Sequence, residues 1–153
     1  MCELKIKVIP YDRPGAELPI REHYNDAGAD VVVPDGACCI LPAHETVTIP
    51  LGFGLEIPDG YMATIYPRSS LASTGLVCEM PPIDAGYRGE ICAIVTNNAD
   101  EDLAIIDRAK IGQIVIQPVV YADFVEELPQ ERGSDGFGST GEWYGDSEDK
   151  AEA

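Results

Sequence analysis

The chain has 153 residues, with 27 Asp and Glu against 10 Lys and Arg and a formal net charge of −17. That length predicts a single domain able to bury about 70% of the surface its unfolded chain exposes. So acidic a chain repels nucleic acid and anionic lipid, which argues against a polymer-binding or membrane-surface role. Any phosphate it takes must be met by a few local cations, backbone amides or a metal ion. No apolar run approaches the ~18 residues of a membrane span. The five cysteines (Cys2, Cys38, Cys39, Cys78, Cys92) are odd in number and lack C-x-x-C spacing. Behind the start MCELKIKVIP, which has no signal-peptide pattern, they predict reduced thiols and a cytoplasmic setting. His23 and His44 stand alone, which argues against a zinc site.

No window keeps a helical period. Short β-branched runs recur instead: LKIKVI (4–9), ADVVV (29–33), ETVTIPLGFGLEI (45–57), YMATIY (61–66), EICAIV (90–95), LAIID (103–107) and QIVIQPVVY (113–121). Between them VPDGA, IPDGY, DAGYRG and NNADED supply turns. Many short strands at close spacing predict an all-β sandwich, jelly roll or barrel. The one helix expected is short, over SSLAST (69–74), with a serine as its N-cap.

Five segments carry residues suited to chemistry. In DAGADVVVP (26–34), Asp30 opens a strand and could serve a metal shell or only a turn. In YPRSSLASTG (66–75), Arg68 offers a planar fork for phosphate beside the hydroxyls of Ser69 and Ser70. In PPIDAGYRGEI (81–91), Asp84 sits at a turn, where a carboxylate near phosphate could orient and deprotonate a water. Tyr87, three residues on, could pack flat on a sugar or cover its own core. RAKIGQIVIQP (108–118) joins a basic turn to a strand that begins near Gln113.

The fifth segment, ERGSDGFGSTG (131–141), contains the letters G-x-G-x-x-G. A dinucleotide-binding loop needs a strand before it, a helix after it and an acidic residue about 20 positions on. A polar stretch broken by Pro129 precedes it and only residues 142–153 follow, so that reading fails. Its glycines instead let successive N–H groups converge on an anion, with Ser139 and Thr140 adding donors, Arg132 a charge and Phe137 a stacking face. The remainder, an acidic tail, reads as solvated.

Taken in order, AGADV, PRSSLA, IDAGYRGEI, KIGQ and RGSDGFGSTG resemble the five motifs of the homotrimeric dUTPase family, over nearly the whole chain. The resemblance implies a jelly-roll-like β-clip fold over residues 1–130 and a trimer whose active sites are shared between subunits. It also implies a mobile glycine-rich arm at 131–141 that closes a neighbour's site. The implied reaction is hydrolysis of dUTP to dUMP and pyrophosphate with Mg²⁺ on the triphosphate, which limits uracil in DNA and supplies dUMP for dTMP synthesis. Asp84 would activate the water. Arg68, Ser69, Ser70 and Gln113 would hold phosphates, with Arg68 also near Asp84. Ile83 and its hairpin would read the uracil edge, and Tyr87 would exclude a 2′-hydroxyl. Arg132, Gly138, Ser139 and Thr140 would grip the γ-phosphate, Phe137 would stack on uracil, and Asp30 would reach the magnesium shell through water or brace the site. Ser70, Lys110 and Gly86 depart from the residues usual at those motif positions. A dCTP deaminase of the same fold is the alternative, but the glutamate it needs ten residues after the Asp is Ile94 here. A non-catalytic nucleotide-sensing trimer is the third reading, and it would predict broken motifs.

Overall fold

The structure, a computed structural model, describes residues 4–126. Ten strands and one short helix follow in order: β1 Lys7–Pro10, β2 Ala29–Val32, β3 Cys39–Leu41, β4 Thr46–Pro50, β5 Phe53–Glu56, β6 Tyr61–Tyr66, α1 Ser69–Ala72, β7 Leu76–Cys78, β8 Cys92–Asn97, β9 Leu103–Ile105 and β10 Lys110–Pro118. All pairings are antiparallel, in four small sheets ordered β1-β5, β2-β10-β6, β3-β9 and β4-β8-β7. The mostly-β architecture and all seven apolar runs are as the sequence predicts. These strands lie in a compact unit, Met1–Tyr121; the described part of the second unit, 122–126, holds no strand or helix. The expected boundary at 130/131 lies outside the described residues, as do the arm and the acidic tail.

The differences from expectation have local causes. The run 45–57 breaks into β4 and β5 at Gly52, whose φ of +78° only glycine adopts cheaply. The run 113–121 starts three residues earlier, through a bulge between Lys110 and Gly112, and ends at Pro118, which has no N–H to donate. β3 and β7 were not foreseen, since each is three residues long and, unlike β9, lies outside the β-branched runs. The helix N-cap is Arg68, in an extended conformation and without a side-chain cap bond, rather than a serine. The hydroxyls nearby work at the other end: Ser73 and Thr74 donate back to the carbonyls of Ser70 and Leu71.

Leu51, Phe53, Ile57 and Ile91 are the largest apolar side chains to be fully buried, with Val31, Val33 and Val95 around them. Burying each such side chain contributes about 1.5–3 kcal/mol. The core also fixes backbone near the hairpin that follows Pro81: Leu51 N–H donates to Ile91 O at 2.9 Å, and Ile91 N–H to Phe53 O at 2.8 Å. Among the described residues no helix is long and apolar enough to cross a membrane, and Cys38, Cys39, Cys78 and Cys92 are free thiols. Burial pushes the Cys78 thiol up to about 11, which leaves it inert at neutral pH.

Candidate active site

One group of predicted residues gathers at the end of the β2-β10-β6 sheet. Register sets Asp30, Gln113 and Tyr66 in one row across the three strands, and the chain leaves β6 through Pro67 and Arg68. Arg68 Nε lies 3.3 Å from one Asp30 oxygen and Lys110 Nζ 2.8 Å from the other. The bulge in β10 turns Lys110 back toward that carboxylate, a common use of bulges beside functional sites. Its hydrogen bond to Asp30 raises the Lys110 ammonium above its ordinary range, so it stays charged. Gln113 Nε2 donates to Pro67 O at 3.4 Å and lines an open depression of about 390 Å³ with Gly28, Tyr66 and Pro67. A side chain at Gly28 would run into the Gln113 amide, so glycine there keeps the depression open. Ser69 and Ser70 are exposed on the first turn of α1, and their hydroxyls have no protein partner among the described residues.

A second group forms on the turn after Pro82. Ile83 pairs with Ala63 of β6 through two backbone bonds, of 2.8 and 3.0 Å, so the turn is tied to the middle of that strand. Tyr87 N–H closes the turn onto Asp84 O at 3.1 Å. Asp84 is exposed and, with Ile83, Tyr87, Glu90 and Cys92, borders a cavity of about 220 Å³. Tyr87 is 46% exposed, and its hydroxyl donates to Glu90 O at 3.0 Å. The Glu90 carboxylate accepts from Arg13 Nε and Nη2 and from Gly52 N–H. The Arg13 hydrogen bonds hold its carboxyl below the usual carboxylate range. Sequence reasoning missed Arg13 and Glu90; Glu90 stands inside YRGEI, but nothing in its spacing marks a partner 77 residues away.

The chain brings Asp30, Arg68, Lys110 and Gln113 together, and separately Ile83, Asp84 and Tyr87. Among the described residues no hydrogen bond or ion pair joins Asp84 to Arg68. The two points of β6 that carry these groups, Ala63 and Tyr66, are three strand residues or ~10 Å apart along it. Arg132, Phe137, Gly138, Ser139 and Thr140 lie outside the described residues. No cluster of three or more His, Cys, Asp or Glu among the described residues could cage a metal. Asp30 has each oxygen paired with a cation, which suits a brace better than a direct ligand. Single, scattered carboxylates do suit magnesium that arrives on substrate phosphates and keeps much of its water shell.

A family model described as dUTPase matches residues 15–141. The chain is 42% identical over 135 residues to the deoxyuridine 5'-triphosphate nucleotidohydrolase of Beijerinckia indica, covering 83% of this chain and 84% of that one. It is 38% identical over 147 residues to the enzyme of the same name from Bdellovibrio bacteriovorus, covering 92% and 99%. Among solved structures, the dUTPase of Staphylococcus bacteriophage 80alpha with dUPNHPP superposes with a TM-score of 0.78 at 28% identity, covering 90% of this chain and 98% of that chain.

Proposed function

The chain belongs to the dUTPase family, and on that footing we propose that it hydrolyses dUTP to dUMP and pyrophosphate. The observation that carries the reading is the pairing of an exposed Asp84 with Tyr87 beside a cavity of about 220 Å³, on a turn pinned to the strand that delivers Arg68. Asp84 accepts a proton from a water, whose oxygen attacks the α-phosphorus. The bond from that phosphorus to the bridging oxygen breaks, and pyrophosphate leaves with its electron pair. Arg68, held by Asp30, and the exposed hydroxyls of Ser69 and Ser70 hold the phosphates, with the Gln113 amide at the edge of the depression. Magnesium carried on the triphosphate supplies charge neutralisation to the phosphates and the departing pyrophosphate.

Tyr87 meets the deoxyribose, and the backbone around Ile83 reads the uracil edge. Asp84 and Arg68 lie apart on one chain, which supports a homotrimer in which one subunit's Asp84 meets a neighbour's Arg68. Exposed Leu18, Ile20, Ile40, Ile106 and Val120 supply apolar surface for such contacts. The arm 131–141 of one subunit closes a neighbouring subunit's site, with Arg132, Gly138, Ser139 and Thr140 on the γ-phosphate and Phe137 over the uracil. The deaminase alternative has no support at position 94, where a half-buried isoleucine of β8 offers no proton carrier. The test is pyrophosphate release from dUTP, dCTP, dTTP and UTP side by side, with and without Mg²⁺. Release from dUTP alone, needing Mg²⁺ and lost in Asp84→Asn with nucleotide binding retained, supports the reading. Ammonia from dCTP, or no release at all, overturns it.

A further inference from the structure

Tyr87 is nearly half exposed, so apolar packing alone does not decide where its ring points. The hydrogen bond from its hydroxyl to Glu90 O, its only side-chain bond among the described residues, does so, and it depends on two neighbours. A side chain at Gly89 would collide with the Tyr87 hydroxyl, so only glycine lets the ring lie down there. Glu90 in turn is immobilised by three donors on its carboxylate, Arg13 Nε, Arg13 Nη2 at 2.8 Å and Gly52 N–H at 2.9 Å. The loop that carries Arg13 grips the hairpin a second time through Tyr11, whose hydroxyl donates to Arg88 O at 3.0 Å. It is itself anchored where Tyr11 N–H donates to Gly52 O at 3.0 Å. The segment from Tyr11 to Arg13 thus clasps residues 88 and 90 on either side of the glycine beneath Tyr87.

We infer that Arg13 and Glu90 are positioning residues for sugar discrimination: their two-pronged ion pair fixes the hairpin so that the Tyr87 ring closes the space a 2′-hydroxyl would need. This rests on the dUTP reading of the site. A rigid wall rejects an extra hydroxyl only if it cannot yield, so loosening the clasp admits the ribonucleotide without touching Asp84. Arg13 also neutralises a carboxylate that borders the same cavity as Asp84 and would otherwise repel a nucleotide.

The experiment measures kcat and KM for dUTP and UTP in the full chain, in Arg13→Ala, Glu90→Gln and Tyr87→Ala, and in the Arg13→Ala, Tyr87→Ala double variant. Wild-type protein that turns over no dUTP sinks the functional reading itself. If it does turn over dUTP, Arg13→Ala is expected to raise KM more than it lowers kcat and to cut the dUTP-to-UTP ratio of kcat/KM on the order of tenfold. Glu90→Gln should move the ratio the same way, and Arg13→Ala should add nothing to it once Tyr87 is Ala. Arg13→Lys keeps the charge, loses the fork and carries the same test if the alanine variant does not fold. Equal losses for both nucleotides, a lowered Tm with an unchanged ratio, or a further loss of ratio in the double variant overturns the inference.

Discussion

Asn97 is fully buried at the end of β8, and its side chain joins the end of β3 to the turn that precedes β9. Its Nδ2 donates to Leu41 O and Pro42 O at 3.1 Å and to Glu101 O at 2.8 Å, while its Oδ1 accepts from Ala99 N–H. Asn97→Ala leaves those carbonyls without a donor and is expected to lower unfolding stability by about 1–3 kcal/mol, read from urea denaturation with the m-value unchanged. Asn97→Asp, which faces three carbonyl oxygens with an acceptor, should cost more than alanine does. In the sequence Asn97 opens NNADED and reads as an ordinary turn residue. Which of two adjacent asparagines faces inward depends on strand pairing that local pattern does not carry. Asp30 shows the same limit. Its place at a strand start was legible, but its double pairing with Arg68 and Lys110 needed β2, β6 and β10 side by side.

The hairpin from Asp84 to Glu90 joins site and stability. The Arg13 guanidinium holds the Glu90 carboxyl low, so folded protein takes up that proton less readily than unfolded chain does. The stabilisation is therefore present above the unfolded carboxyl value of about 4.3 and is lost as pH falls through the lower folded value. Urea unfolding followed from about pH 6 to pH 3 should show Glu90→Gln losing less stability on acidification than wild type. Equal slopes for the two proteins would remove Glu90 as a source of acid sensitivity. β6 was legible to the residue because YMATIY is a continuous run of apolar and β-branched residues bounded by Gly60 and Pro67. β3 and β7 were not, because their pairing partners, β9 for β3 and β8 for β7, create them.

For the whole molecule, the order of the motifs was legible in the sequence while the meeting of their residues was not. Pattern along a chain speaks of that chain's own contacts. Asp84 and Ser69 lie exposed, with no side-chain partner among the described residues, and local pattern does not say what meets them. The proposed arm makes one prediction at this scale. Deleting residues 131–153 should abolish pyrophosphate release from dUTP while the far-UV circular dichroism and melting of the β unit stay near wild type. Full activity in that truncation would remove the lid.

The bridge between Ala63 and Ile83 has a consequence for how such a chain can diverge. Strand residues advance by about 3.3 Å and face alternate sides, so β6 behaves as a ruler graduated in whole residues. One inserted residue between Ala63 and Arg68 would push the arginine a graduation further from the carboxylate turn and also rotate it to the opposite face. Loops can absorb gained or lost residues, but positions 63 to 68 can change their letters only while keeping their count.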